Sequence, residues 1–222
     1  SCVVTNIQTN GKGRRGRQWQ SALGEHLIFS FLWRFTKGAS ALSGLSLAVG
    51  VALIRSLKKI NIHRALLTWP NDILILEDGI YKKLAGVLIE LQGDMDGQSA
   101  AIIGIGINLN LSKKQNAKID QPATSLFHWL DEEVNPNDFL AVIIKDLAEV
   151  LAAFEEDGFG KLKEEWLSYD AFHDQVVNIS SGDRNIIQGR SRGVNDVGSL
   201  EVVTLDGVKT FASGEITLRR SE

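Results

Sequence analysis

The sequence predicts an α+β protein: a mixed β-sheet with packed helices over residues 1–174, followed by a small β-barrel over residues 175–222. Three observations predict it. Two stretches repeat apolar residues at helical spacing, several short β-rich runs lie around them, and after His173 no helical period is visible. A chain of 222 residues suits one sizeable domain with a small one attached, and 44% hydrophobic with 23% charged residues is ordinary for a globular protein. The formal net charge of −3 argues against wholesale nucleic-acid binding while leaving room for a local basic patch. Cys2 is the only cysteine, so no internal disulfide can form, and a reducing cytoplasm is the expected location. No apolar run reaches the roughly 18 residues that a membrane helix needs. The chain opens at Ser1 directly on a strand-like run, so an upstream segment is expected.

Each element has its own signal. Cys2 to Gln8 is rich in β-formers, and His26 to Phe35 clusters Ile28, Phe29, Phe31, Leu32 and Trp33 as a buried strand does. Leu42, Leu45, Val49, Ala52, Leu53 and Leu57 predict a helix over 41–58, with Ser40 as its N-cap and Gly44 and Gly50 inside it. Strands are expected at 65–68, 72–76, 83–91 and 100–108. Pro122 to Leu130 reads as a loop running into a short helix. A long helix begins near Pro136 with Asn135 as its cap. It buries Leu140, Ile143, Ile144, Leu147, Leu151 and Phe154 and ends at Gly158; Phe159, Leu162 and Trp166 mark one more short helix. Beyond residue 175, turns at Ser181-Gly182-Asp183, Asn195 to Ser199 and Asp206-Gly207 separate about five strands.

Four motifs carry chemistry. In Gln8-Thr9-Asn10-Gly11-Lys12-Gly13-Arg14-Arg15-Gly16-Arg17-Gln18-Trp19, four cations fall within six residues and alternate with glycines. Glycine lets backbone N–H groups approach phosphate oxygens, and arginine adds a planar, permanently charged fork. Such a loop suits closure over a phosphate-bearing ligand; a solvated basic turn or a patch for nucleic-acid backbones stays open on composition alone. No Gly-Lys-Ser/Thr follows, so it is not a Walker A loop. Thr68-Trp69-Pro70-Asn71-Asp72 puts polar groups at a strand end, although an Asx-type turn explains it as well. In Lys82-Lys83-Leu84-Ala85-Gly86-Val87-Leu88-Ile89-Glu90, a lysine stands ahead of a buried strand with a glycine in its middle. Ile102-Ile103-Gly104-Ile105-Gly106-Ile107-Asn108 puts glycines at alternate positions, as a strand does when its bare face receives a ring or when it packs tightly.

Together these stretches resemble the biotin protein ligase family through nearly the whole chain. The family's markers are a Gly-Arg-Gly-Arg-Arg-Gly-Arg loop, a Lys-Trp-Pro-Asn-Asp turn, a Lys-Leu-Ala-Gly-Ile/Val-Leu strand and a Gly-X-Gly-Ile-Asn strand. All four occur here in order. Gly189 to Gly193, Gly198, Asp206-Gly207 and Ser213-Gly214-Glu215 resemble the family's SH3-like C-terminal domain.

The resemblance implies a fold like the class II aminoacyl-tRNA synthetases and the biotin ligases. It implies an enzyme that joins biotin and ATP into biotinyl-5′-adenylate, with Mg²⁺ neutralising the triphosphate. That enzyme then biotinylates a lysine of a biotin carboxyl carrier protein, the carrier subunit of acetyl-CoA carboxylase. Lys83, Arg14 and Asp72 take the catalytic roles: Lys83 between the biotin carboxylate and the α-phosphate, Arg14 on the phosphate, Asp72 orienting the incoming lysine or taking its proton. Gln8, Gly11, Lys12, Gly13, Arg14, Arg15, Gly16 and Arg17 form the closing loop. Trp19 is placed on the adenine side, Asn71 in the binding turn, Gly86, Leu88, Gly104 and Gly106 around biotin, and Asn108 near the nucleotide. No protein-held metal site is implied.

Three departures stand out. Lys12 replaces an arginine, Thr68 replaces the lysine before Trp-Pro-Asn-Asp, and the family's upstream Ser/Thr-Thr-Asn segment has no counterpart. The biotin site is therefore expected to be incomplete at its N-terminal edge. Some members also dimerise through a sheet edge, or repress transcription through an upstream winged helix that binds DNA. The alternatives are such a biotin-responsive repressor in a longer parent protein, or a lipoate–protein ligase, which shares the catalytic fold.

Overall fold

The structure, a computed structural model, describes residues 1–93, 97–132, 134–181, 185–212 and 217–220. Six strands, β1 (Cys2–Thr5), β2 (His26–Phe35), β3 (Ala65–Thr68), β4 (Asp72–Glu77), β5 (Ile80–Gly93) and β6 (Ser99–Asn108), form one antiparallel sheet in the order β1-β2-β6-β5-β4-β3. Side chains alternate across a strand, so every second residue faces inward. Leu27, Phe29 and Phe31 of β2, Ala85 and Val87 of β5, and Ile103, Ile105 and Ile107 of β6 are all buried in the core on that face. The helices α1 (Leu45–Lys59) and α3 (Pro136–Asp157) contribute to the same core and pack against each other, with the shorter α4 (Lys163–Leu167) beside α1.

The helix start is a correction. Ser40 does not cap α1: residues Ala39–Leu42 make a separate 3₁₀ turn, and Gly44 is the N-cap at φ 80°. A Cβ there would lie 2.8 Å from two atoms of the Phe159 side chain, so both backbone and space select glycine. Gly50 does lie inside α1, and its cost is offset by close approach, because a Cβ would stand 3.0 Å from Leu67 Cδ2 of β3. Asn135 caps α3 as expected, accepting from Asn137 N at 2.9 Å, and Gly158 ends it. Ile144 of α3 is only half-buried. A short helix, α2 (Lys113–Asn116), was not expected; Ser112 caps it by accepting from Gln115 N at 3.2 Å.

The C-terminal module is sheet-rich, as expected: β7 (Val176–Ser181), β8 (Asn185–Val194), β9 (Leu200–Thr204), β10 (Gly207–Phe211) and β11 (Thr217–Arg220) pair in the order β10-β9-β8-β7-β11. The expected turn residues Gly182 and Asp183, and the Ser213-Gly214-Glu215 motif, lie outside the described residues. Asp170, where the chain leaves the large sheet, accepts from Phe172 N at 3.0 Å through Oδ1, while its buried Oδ2 has no hydrogen-bond partner among the described residues.

Burial pushes the Asp170 carboxyl up to about 6 from 3.8, with the Phe172 N–H and His173 opposing. The folded chain then holds this proton more tightly than the unfolded one. The associated stability is complete below pH 3.8 and is lost as pH rises through about 6. Asp170→Asn keeps the Oδ1 acceptor and removes the titration. It is expected to raise the melting temperature at pH 8 and to change it little at pH 4, as thermal unfolding monitored by circular dichroism at both pH values will show.

Candidate active site

The face opposite the core is the one that the four motifs share. The register aligns Asp72, Gly86, Gly106, Ile28 and Thr5 across β4, β5, β6, β2 and β1, and Leu88, Gly104, Ser30 and Val3 one pleat further along. Paired residues of an antiparallel ladder point to the same face, so this row of glycines leaves bare sheet.

Lys83 reaches that face only through an irregularity. It stands three residues from Gly86, and in a regular strand the two would point to opposite faces. The register slips between Ile73 and Leu74: Ile73 pairs with Ala85 and Leu74 with Lys83, so Leu84 is the extra residue of a β-bulge. The bulge restores Lys83 to the side of Asp72 and Gly86. Its Nζ lies 2.8 Å from Asp72 Oδ1, an ion pair whose side chains are only 15% and 21% exposed. A Cβ on Gly86 would sit 3.0 Å from both Cε and Nζ of Lys83 and 3.3 Å from Asp72 Oδ1. Glycine is required there because the ammonium lies flat across the strand.

The backbone of Lys83 is fixed from behind. Its N–H donates to Pro122 O at 2.9 Å, and its carbonyl accepts from Thr124 N at 3.0 Å and from Asn108 Nδ2 at 3.2 Å. Asn108, expected beside a nucleotide, is buried and also donates to Thr124 O at 3.1 Å. These two bonds tie the main chain of the lysine to that of Thr124.

The basic loop folds back on itself. Gly13 N donates to Arg17 O at 2.7 Å and Trp19 N to Gly11 O at 2.9 Å, while a bridge pairs Lys12 with Gln18. Residues Arg14–Gly16 make a 3₁₀ turn at the tip, with Arg15 at φ 58°. Ser21 closes the base, accepting from Gln8 N at 2.9 Å and donating to Gln8 O at 3.0 Å. A Cβ on Gly11 would meet Trp19 O at 2.5 Å and Gln8 Oε1 at 2.8 Å. Lys12, Arg15, Gly16 and Arg17 are exposed, and Gly13 is half-buried.

Arg14 is the loop cation that turns inward, donating from Nη1 to Asn71 Oδ1 at 3.3 Å. Burial presses its pKa down, and the Asp72 carboxylate opposes that while Arg17 and Arg15 add to it. Asn71 in turn donates from Nδ2 to Val87 O at 2.8 Å and accepts from Val87 N through its carbonyl at 3.0 Å. Arg14, Ser46, Asn71, Val87, Leu88 and Ile89 line a small pocket here.

The ring expected over the alternating glycines is the protein's own. Trp19 packs on Gly106 so closely that a Cβ there would lie 2.4 Å from Trp19 Cζ2, whereas at Gly104 the nearest atom, Leu88 O, is 3.5 Å away. Lys83 Nζ stands 5.6 Å from the centroid of the Trp19 ring. Behind it His26 meets the indole edge-on at 6.2 Å and accepts from Ala22 N at Nδ1, which leaves its proton on Nε2. Burial is the main cause lowering the His26 pKa, so the ring is held neutral. Both Trp19 Nε1 and His26 Nε2 are buried without a hydrogen-bond partner among the described residues.

The structure thus gathers Arg14, Trp19, Asn71, Asp72, Lys83, Gly86, Leu88, Gly104 and Gly106 at one face, with Asn108 behind it. Sequence reasoning missed Ser30, Ser46 and Thr124. Ser30 had a signal, a lone hydroxyl between Phe29 and Phe31; Ser46 and Thr124 had none, since both act through contacts distant in sequence.

The chain is similar to proteins of known family. Residues 1–108 match the model of the biotin/lipoate A/B protein ligase family, and residues 172–219 match the biotin protein ligase C-terminal domain. The chain is 34% identical over 220 residues to the bifunctional ligase/repressor BirA of Escherichia coli, covering 99% of this chain and 66% of that protein's length. It is 30% identical to the biotin–[acetyl-CoA-carboxylase] ligase of Paracoccus denitrificans, covering 96% of this chain and 88% of the relative. Among solved structures it resembles the biotin protein ligase of Aquifex aeolicus in complex with biotin and ATP, with a TM-score of 0.81 and 31% identity over 99% of this chain and 89% of that one. With the four motifs brought to one face and both domain models matched in order, the chain belongs to the biotin protein ligase family.

Proposed function

We propose that the chain activates biotin with ATP and transfers it to a protein lysine. In the first step the biotin carboxylate attacks the α-phosphorus, a C–O–P anhydride forms, and pyrophosphate leaves. In the second, the ε-amino group of a lysine on a biotin carboxyl carrier protein attacks the biotinyl carbonyl; the amide forms, AMP leaves, and the amine gives up its proton. The observation that carries this reading is the convergence of Lys83, Asp72, Trp19 and the Arg14–Asn71 pair on the glycine-lined face.

Charge grows on the phosphoryl oxygens as the carboxylate attacks, and an ammonium already fixed by Asp72 stabilises it without reorganising. The Asp72 carboxylate positions that ammonium, and its second oxygen can orient the incoming lysine. Arg14 supplies a charge-assisted donor to the phosphate. Leu88 and the open ground at Gly104 receive the biotin ring system, with Trp19 as a wall between biotin and adenine. Mg²⁺ enters with ATP as its magnesium salt; among the described residues no three carboxylate, imidazole or thiol groups gather to hold a metal.

The same reading divides the chain near 174/175 into a catalytic unit of the class II aminoacyl-tRNA synthetase type and an SH3-like barrel. It places the enzyme in the cytoplasm, with a homodimer forming along the β1 edge, where Val3 is 69% exposed. DNA binding belongs to it only in a longer chain with a winged helix. No described helix is long and apolar enough to cross a membrane.

Titration calorimetry with biotin and with lipoate tests the substrate: heat with biotin alone supports the reading, and heat with lipoate alone contradicts it. Arg14→Ala removes the inward-turned cation from the phosphate. Losing a hydrogen bond to a charged group costs about 1.5–3 kcal/mol, so the adenylate is expected to escape roughly 10- to 100-fold faster. The measurement is biotin appearing on bystander lysines of an added unrelated protein.

A further inference from the structure

The Trp69-Pro70-Asn71-Asp72 turn carries two site residues, and it is held from three sides. Pro70 O accepts from Ser46 Oγ of α1 at 3.0 Å, and Asn71 is tied to Val87 of β5 by two hydrogen bonds. The third tether comes from the C-terminal module. Trp69, 2% exposed, donates its indole N–H to Gly198 O at 3.0 Å.

Gly198 lies in the turn between β8 and β9, and this turn is hydrogen-bonded within itself and wedged in place. Gly198 N donates to Asn195 O at 2.9 Å, and Asn195 Oδ1 accepts from Val197 N at 3.2 Å and Ser199 N at 3.0 Å. Ser43 Oγ donates to Val197 O at 2.7 Å, and Lys163 Nζ reaches Asp196 Oδ1 at 2.8 Å. Gly198 has φ 77°, and a Cβ there would lie 2.7 Å from Gly44 Cα and 3.0 Å from Leu47 Cδ1. The turn therefore presses on the start of α1, which bears Ser46, and on Trp69, which starts the catalytic turn.

We propose that Trp69 and Gly198 are positioning residues, through which the 195–199 turn of the C-terminal module sets the placement of Asn71 against Arg14 and of Asp72 against Lys83. The C-terminal module thereby acts on catalysis without touching substrate. This rests on the ligase reading above. The biotin floor at Leu88 and Gly104 is not part of the tether, so the adenylation step and biotin binding separate.

The test uses the full chain with Trp69→Phe, Gly198→Ala and the double variant. Trp69→Phe keeps the buried ring and deletes only the donor; Gly198→Ala drives the turn off Gly44. In biotin-dependent ATP–pyrophosphate exchange, each single variant is expected to lose roughly tenfold in kcat, since small misplacements far from the chemistry act on geometry. The Kd for biotin should stay within about twofold, and the double variant should be no worse than the more impaired single, as for two ends of one contact. Variants that fold with unchanged kcat, or whose effects multiply, overturn the proposal. If the wild type shows no exchange even at saturating biotin, the ligase reading fails, and the tether is read separately: Gly198→Ala should shift the Asn71 side-chain amide in ¹⁵N NMR, and an unshifted amide overturns the tether itself.

Discussion

Lys83→Ala is expected to lower biotin-dependent adenylate formation by about 10²–10³-fold, the range seen when a single preorganised donor to a developing oxyanion is removed. The expectation follows from how much structure is spent on one ammonium. A bulge turns it to the right face, Gly86 leaves room for it to lie across β5, Asp72 holds it at 2.8 Å, and Asn108 and Thr124 fix its carbonyl. The substitution also strands the Asp72 carboxylate, whose stability cost is about 1–3 kcal/mol. Circular dichroism should therefore show a folded protein with a lower melting temperature. Biotin affinity should change far less than kcat, because the ammonium acts most strongly on charge that appears only in the transition state. Wild-type turnover in Lys83→Ala would remove the lysine from the mechanism.

The second large effect is expected at Gly106. A valine there would place its Cβ 2.4 Å from Trp19 Cζ2 and 2.6 Å from Cε2, contacts that no rotamer of the new side chain relieves. The indole must leave the sheet, which uncovers the buried Trp19 Nε1 and His26 Nε2 and takes the ring away from Lys83. Overpacking of this kind costs about 1–3 kcal/mol in stability. Displacing a wall of the site should cost roughly 10²-fold in adenylate formation. A red shift in tryptophan emission would report the displaced ring. Gly104→Ala is the informative contrast, because its Cβ would meet only Leu88 O at 3.5 Å and Leu88 Cβ at 3.9 Å. That variant should fold normally and weaken biotin binding selectively, since it fills open ground without moving Trp19.

The sequence made the sheet legible because its strands are short apolar runs bounded by turn residues, and α3 because Asn135, Pro136 and Gly158 punctuate it. The start of α1 was misplaced since Leu42 continues the apolar period across Gly44, and nothing local reveals that Phe159 forbids a side chain there. The identities of the site residues were legible from motif order. Their arrangement was less so. Strict alternation from Lys83 to Gly86 puts the two on opposite faces, and only the partner strand shows that Leu84 is the extra residue. Asn108 ends the Gly-X-Gly-Ile-Asn motif, yet its partners, Lys83 O and Thr124 O, are 25 and 16 residues away. The tie from Trp69 to Gly198 spans 129 residues and joins the catalytic turn to the turn between β8 and β9, a separation that no local pattern encodes.

The most direct measurement is exchange of radiolabelled pyrophosphate into ATP, with and without biotin, by the chain of residues 1–222. A site in which Lys83, held by Asp72, meets an adenylate under the Arg14 loop predicts exchange that depends on biotin, needs no carrier protein and collapses in Lys83→Ala. Exchange that proceeds without biotin, or that survives intact in Lys83→Ala, would contradict it.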